Sequence, residues 1–296
     1  MQGYLTLAVD RQKYYDMSIQ LALSLKLWDP DKPIALIYNE GITLGPEADI
    51  IFDETIFMPS DENYVGVMNK IRVYDYTPFN KTIFVDADCI MMKKGIDYYW
   101  KIFDGHGFNL LGNKSISGAW KGFEIKEVIS SLGIDYMVRM NAGVFYFEVG
   151  GKSKEFFDYT NSLCTSALQI LGSIHQEREG QYSIEPLLGA AMGRFGIEPL
   201  SLDPAMGSLM VSTWRARNCR FDVRAGISEL EKPSGFWFNL PHAALGKGWV
   251  KHSPIFAHFI DRKPRKQYQK ARDQLWEFGE HLIDYDRGVG PAMAAA

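Results

Sequence analysis

Three cysteines in 296 residues, Cys89, Cys164 and Cys219, are too few and too scattered for a disulfide framework or a cysteine-based zinc site, and they fit a reducing compartment. No apolar run approaches the roughly 20 residues that a membrane-spanning helix needs. The opening Met1–Asp10 also lacks the basic-then-apolar pattern of a secretory leader. The expectation is a cytoplasmic protein with no membrane anchor of its own. Excess positive charge is missing too: 32 Lys and Arg stand against 36 Asp and Glu, a net charge of −4, so there is no global field for nucleic acid. Repeats and low-complexity segments are absent, which excludes solenoid and linker architectures. A chain of 296 residues can bury a full core, as one large domain or as one domain with an appended piece.

What is present is apolar and aromatic. Hydrophobic residues make up 46% and aromatic residues 14% of the chain, enough to serve both a core and stacking on a sugar or base. The first half alternates strand and helix signals, as βαβ units do. Strands are expected at Tyr4 to Val9, Pro33 to Tyr38, Ile50 to Phe52, Thr55 to Met58 and from Thr82. Helices are expected at Tyr14 to Trp28, stopped by Asp29-Pro30, and at Met68 to Tyr76. Further along, Phe108 to Leu111 and Val144 to Phe147 read as strands. Lys154 to Leu171, Glu185 to Met192 and Lys266 to Ile283 read as helices, and Arg287 to Ala296 as a frayed tail. Between Pro204 and Phe256 periodicity is poor, and a loop-rich binding region is expected.

The most informative stretch is Lys81-Thr82-Ile83-Phe84-Val85-Asp86-Ala87-Asp88. Its apolar run reads as a buried parallel strand, whose carboxyl end is where open α/β sheets bind ligands. Two acids one residue apart repel each other there unless cations or hydrogen-bond donors compensate, and hard oxygen ligands suit Mg²⁺ or Mn²⁺. A strand end carrying two solvated Asp residues, or a cap, is the competing reading.

Four other constellations carry the same kind of choice. Asp10 ends the first strand and precedes Tyr14 and Tyr15, either of which can stack on a base or simply pack a helix face. In Asn69-Lys70-Ile71-Arg72, the cations can neutralise phosphate or form a structural salt bridge with an Asp. Asn141-Ala142-Gly143 lets a ligand approach the backbone while the amide reads a hydroxyl, or else is an ordinary tight turn. His258 ends the apolar stretch before Ile260-Asp261-Arg262-Lys263-Pro264, as a third Mn²⁺ ligand or as a hydrogen-bonded structural residue. Lys263 is placed to hold a diphosphate leaving group, or else belongs to a solvated basic face with Arg262, Arg265, Lys266, Lys270 and Arg272.

In this order, these pieces resemble glycosyltransferase family 8, the glycogenin-like enzymes, from Leu5 to about Pro264. The clearest parts are Asn69-Lys70 through Asp86-Ala87-Asp88, similar to the family's donor-site helix and metal motif (DxD), and Met140-Asn141-Ala142-Gly143-Val144-Phe145, similar to its Asn-Ser-Gly strand. Thr6 to Leu25 is similar to its uridine-binding segment, with two residues inserted after Asp10. The resemblance implies a GT-A (Rossmann-like) α/β fold, a mixed, mostly parallel central sheet flanked by helices over residues 1–265; the residues themselves read as a C-terminal helix and tail over 266–296. It implies Asp86, Asp88 and His258 as Mn²⁺ ligands, Tyr14 over uracil, Lys70 on the donor, Asn141 and Gly143 lining the sugar pocket, and Lys263 at the diphosphate.

Two departures are visible. Against the family's closing His-x-x-Gly-x-x-Lys-Pro-Trp, Asp261 stands at the Gly position, the Lys comes one residue early and no Trp follows. The family's Asp-Gln pair finds only Glu185, within Ser183-Ile184-Glu185-Pro186, in its place. The expected activity is a Mn²⁺- or Mg²⁺-dependent transfer of a sugar from a UDP-sugar to a hydroxyl of a glycan, protein or lipid-linked acceptor, with retention implied by the resemblance. Glu185 orients the acceptor or acts as its base, and Trp214, Phe236, Trp237, Phe238 and Trp249 are candidates for stacking on the acceptor sugar. The alternatives are a non-catalytic nucleotide-sugar or glycan-binding protein, and a haloacid-dehalogenase-type phosphatase, which places its Asp-x-Asp after the first strand.

Overall fold

A computed structural model describes residues 1–170, 183–200, 208–233 and 248–286. Its centre is a six-stranded sheet. Four strands run parallel: β1 (Gln2–Ala8), β2 (Ile34–Tyr38), β3 (Glu54–Phe57) and β4 (Lys81–Val85). The order across the sheet is β3, β2, β1, β4, then Val144–Glu148 and a short edge strand Phe108–Asn109. Val144–Glu148 runs antiparallel to β4, with Val144 opposite Val85 and Phe145 opposite Phe84. Ile83, Phe84 and Val85 are fully buried, as expected of a strand covered on both faces. Asp86 thus leaves the fourth strand, in the middle of the sheet.

Helix α1 (Gln12–Trp28) is buried at every position from Met17 to Leu25, so no polar stripe marks it. It is covered on two sides, by the sheet and by the closing helix Arg265–Asp286. Gly279 of that helix approaches so closely that a methyl there would stand 2.9 Å from Leu23. Ala271 and Leu275 share the same core.

Three expectations need correction. Ile50 to Phe52 is not a strand: Ala48–Ile51 is one helical turn, with Ala48 and Ile51 turned inward, and a three-residue apolar run fits either period. Met68 to Tyr76 is not one helix but a 3-10 segment, Gly66–Ile71, joined to a single turn, Val73–Tyr76. Pro78 holds Thr77 extended (φ −69°, ψ 133°) and stops it there. The stretch from Pro204 to Phe256 is not merely loops. Arg217–Asp222, Ile227–Pro233 and Trp249–His252 form an antiparallel sheet, hidden from sequence because its outward positions are charged and few apolar residues alternate with them. Phe236, Trp237, Phe238 and the tail from Arg287 lie outside the described residues. Among the described residues no helix is long and apolar enough to cross a membrane.

Candidate active site

The chain turns after β4 into the short strand β5 (Cys89–Met91), which pairs antiparallel with Phe256–His258, setting His258 opposite Cys89. That pairing carries the imidazole to the acids. Asp88 accepts from the Phe259 amide through its carbonyl (2.9 Å), and the Asp86 amide donates to the Gly143 carbonyl (2.8 Å). His258 Nε2 stands 2.9 Å from Asp88 Oδ1 and 3.9 Å from Asp86 Oδ2. Thr213 anchors the other side, its amide and its hydroxyl both donating to the His258 carbonyl at 2.9 Å.

The electrostatics follow from this packing. Burial opposes charge on both partners, yet the Coulomb attraction and hydrogen bond between them outweigh it. Asp88 is held below the usual carboxylate range and His258 above the usual imidazole range. Lys70 Nζ lies 2.6 Å from Asp86 Oδ1. Burial penalises its charge, but Asp86, with Asp88 and Glu185 beyond it, raises its pKa. Of the two open readings for Lys70, the ion pair with Asp86 is present, at the mouth of the same cluster.

Asn141-Ala142-Gly143 forms the wall between this cluster and Glu185. Asn141 Oδ1 accepts from the Gly143 amide (2.9 Å), Lys70 donates to the Ala142 carbonyl (3.4 Å), and the Ala142 amide donates to Glu185 Oε1 (3.3 Å). Gly143 has no room for a side chain. A methyl there would stand 2.8 Å from Met210 Sδ, 3.0 Å from His258 Nδ1 and 3.1 Å from Asn141 Oδ1.

Glu185 is delivered by the helix Ile184–Arg194, which begins after Ser183 with Pro186 in its first turn. Residues 185, 189 and 193 fall at a spacing of four, on one face. On that face a methyl at Gly189 would come within 2.3 Å of the Val138 carbonyl oxygen, and one at Gly193 within 1.9 Å of the Tyr136 carbonyl oxygen. The helix therefore rides directly on the backbone around the strand Met137–Met140, whose chain runs on into Asn141.

Asp10 and Tyr14 occupy the rim of β1 instead. Asp10 has φ 67°, accepts from Asn39 Nδ2 (2.9 Å) and from the Gly66 amide (3.2 Å), and its own amide donates to Asn39 Oδ1 (2.9 Å). Tyr14 is half-buried with Lys13 Nζ 4.9 Å from its ring, whereas Tyr15 is buried and hydrogen-bonded to Glu47. Asp261 and Arg262 both adopt left-handed φ (55° and 58°). Arg262 reaches the Lys13 carbonyl (3.4 Å), while Lys263 is exposed and faces Asp261 at 3.7 Å.

The donor set suits a hard divalent ion. Around an octahedral ion with ligands at about 2.1 Å, neighbouring ligand atoms stand about 3 Å apart. Asp88 Oδ1 and His258 Nε2 already meet that spacing, whereas Asp86 Oδ2, 3.9 Å from His258 Nε2, stands outside the tight group formed by Asp88, Cys89 and His258. Cys89 is near enough to join a ligand group with Asp88 and His258, but burial pushes its thiol pKa well up, and a protonated thiol is a poor ligand. With neutral imidazole, Lys70 and the two carboxylates sum to −1. A bound M²⁺ makes the cluster +1, suited to an anionic ligand.

Sequence reasoning missed Asn39 and Lys121. Asn39 follows the carboxyl end of β2, a position that could have flagged it. Lys121, at the tip of the hairpin Ala119–Trp120/Phe123–Glu124, lies 3.2 Å from Glu185 Oε2 and gave no signal beyond that of a solvated turn.

The chain matches no protein-family profile and no curated protein by sequence. Its structure is similar to that of the galactosyltransferase LgtC, solved with donor and acceptor sugar analogues: TM-score 0.53 at 11% identity, covering 98% of this chain and 100% of that one. It is also similar to the glycosyltransferase GlyE of Streptococcus pneumoniae, with TM-score 0.50 at 14% identity, covering 100% of this chain and 67% of that one. The likeness is one of fold. This is a GT-A-like α/β protein with a central, mostly parallel sheet flanked by helices, the architecture that the family 8 resemblance implies.

Proposed function

We propose that the protein is a metal-dependent glycosyltransferase that moves a hexosyl group from a UDP-sugar to an acceptor hydroxyl, with retention at the anomeric carbon. The observation that carries this reading is the convergence of Asp88 Oδ1 and His258 Nε2 at 2.9 Å, beside Asp86, at the carboxyl end of the central strand of a GT-A-like sheet. Asp86, Asp88 and His258 would hold a Mn²⁺ or Mg²⁺ ion, which would supply positive charge to offset that of the diphosphate leaving group.

The protein's own groups do the rest. Lys70 neutralises Asp86 and faces the donor. The Asn141–Gly143 wall lets the sugar approach backbone, and the Asn141 amide reads one of its hydroxyls. Glu185, across that wall from Lys70, orients the acceptor hydroxyl or takes its proton. Asp10, locked by Asn39, and Tyr14 take the uridine, and Lys263 meets the leaving diphosphate by turning from Asp261. The acceptor, whether glycan, protein or lipid-linked sugar, enters past Trp214, which follows the strand paired with His258 and is 43% exposed. The three free thiols fit a reducing, cytoplasmic setting. A phosphatase of the haloacid-dehalogenase type fits less well, since its acids follow a first strand and Asp86 follows the fourth.

The test is a thermal-shift panel of UDP-sugars with and without Mn²⁺, coupled to measurement of UDP release, on wild type and Asp88→Asn. Stabilisation that needs both Mn²⁺ and Asp88, with slow donor hydrolysis, is the expected result. Stabilisation with no release of UDP in the presence of candidate acceptors would identify a binding protein instead.

A further inference from the structure

We propose that Lys121 is a positioning residue for the transfer, holding the Glu185 carboxylate against the sugar-side wall; this rests on the glycosyltransferase reading above. Glu185 is an unusual acid for a helix first turn. Its side chain is only 14% exposed, one oxygen accepts from the Ala142 amide at 3.3 Å, and the other, with no hydrogen-bond donor among the described residues, stands 3.2 Å from the Lys121 ammonium. A nearly buried carboxylate held by a single weak hydrogen bond is free to rotate away unless a charge fixes it.

The fold supplies that charge from a dedicated place. Ala119–Trp120 and Phe123–Glu124 form a hairpin whose two-residue turn is Lys121-Gly122, with φ of 52° and 85°. Positive φ at both turn positions is ordinary for Gly but uncommon for Lys. The hairpin is docked beside Glu185 by its neighbour: Trp120 lies against Gly189, where a methyl would stand 3.2 Å from the indole. Glu185 and Gly189 share one helix face. One contact therefore seats the hairpin on the helix, and the other lets Lys121 grip the acid one turn away.

The backbone of Ala142 links the two ends of the site. Its carbonyl accepts from Lys70, which pairs with Asp86, and its amide donates to Glu185, which pairs with Lys121. Each side of that residue thus carries a lysine–carboxylate pair, one at the metal cluster and one facing the reacting sugar. Lys121 is 38% exposed, so its replacement does not open a cavity.

The experiment compares Lys121→Met, Lys121→Arg, Glu185→Gln and the Lys121→Met/Glu185→Gln double variant, using UDP-glucose and UDP-galactose hydrolysis as the readout. UDP affinity in the presence of Mn²⁺ is measured alongside by calorimetry. The inference predicts that Lys121→Met lowers kcat about 10- to 100-fold, the scale of a misplaced catalytic group. UDP affinity should change less than about twofold and Lys121→Arg should recover most of the rate, since either cation can hold the carboxylate. The double variant should be no slower than Glu185→Gln alone, because the lysine acts through the acid. Wild-type kcat in Lys121→Met, equal defects in the Met and Arg variants, or a double variant slowed by the product of the single effects would overturn it. A wild-type protein that neither binds UDP with Mn²⁺ nor hydrolyses either donor would overturn the transferase reading, and this inference with it.

Discussion

Replacing Gly143 by Ala tests how the acids and the imidazole are held together. The added methyl would stand 3.0 Å from His258 Nδ1, 3.1 Å from Asn141 Oδ1 and 2.8 Å from Met210 Sδ. Ordinary heavy-atom contacts lie near 3.5–4.0 Å, so these neighbours must retreat by about half an ångström or more. Met210 can turn, being an unbranched thioether. His258 cannot do so cheaply. Its strand is paired to β5 on one side and to Met210–Ser212 on the other, and Thr213 binds its carbonyl twice. The displacement therefore falls on the imidazole and on the 2.9 Å spacing to Asp88. Overpacking of this kind costs about 1–3 kcal/mol of stability. Misplacing a metal ligand through its supporting contacts costs about 10- to 100-fold in metal affinity. Calorimetric titration of Mn²⁺ in the presence of UDP, with chemical denaturation of the metal-free protein alongside, reads both numbers. A Gly143→Ala protein that binds Mn²⁺ as tightly as wild type would refute the claim that Gly143 sets the position of His258.

Three further outcomes follow. Lys70→Met strips the cation from a largely buried carboxylate and should destabilise the metal-free protein by about 3–5 kcal/mol, with Mn²⁺ restoring part of the loss in urea unfolding. The Asp88–His258 pair makes metal-free stability depend on pH in both directions. The lowered Asp88 contributes stability that is present above the unfolded carboxylate pKa of about 4 and is lost as pH falls through its folded value. The raised His258 contributes stability that is complete below about pH 6.5 and is lost as pH rises through its folded value. Urea unfolding in chelator should therefore show greatest stability from this pair between about pH 4 and 6.5, and Asp88→Asn should flatten the alkaline decline. Gly189→Ala should lower stability by about 1–3 kcal/mol and slow donor hydrolysis as well, because the helix that carries Glu185 must lift off the Val138 carbonyl. An unchanged melting temperature for that variant would contradict the close helix–backbone docking.

Legibility from sequence followed the range of the interactions. The five-residue run ending in Asp86 announced itself because strand burial and the acids beyond it are local features, and Ile83 to Val85 are buried as that pattern requires. His258 was visible locally only as a His ending an apolar stretch, with a ligand role and a structural role both open. Its approach to Asp88 depends on β5 pairing with Phe256–His258, a long-range register that no local period encodes. The single turn at Ala48–Ile51 defeated pattern reading because three apolar residues satisfy a strand and a helix equally. Gly189 and Gly193, four apart in the helix, carried an unread signal of close packing. Lys121 carried none, since a Lys-Gly pair in a polar stretch is what any solvated turn looks like, and only the docking of Trp120 turns it toward Glu185. The charged sheet between Arg217 and His252 was hidden for the related reason that its outward side chains erase the alternation.

The most direct test of the central claim is anomalous scattering from crystals grown with Mn²⁺ and UDP, recorded at the manganese edge. The account predicts one strong peak within about 2.3 Å of oxygens from Asp86 and Asp88 and of His258 Nε2, with the UDP diphosphate completing the ligand shell. A UDP molecule bound with no peak there, or a peak held by other residues, would contradict it.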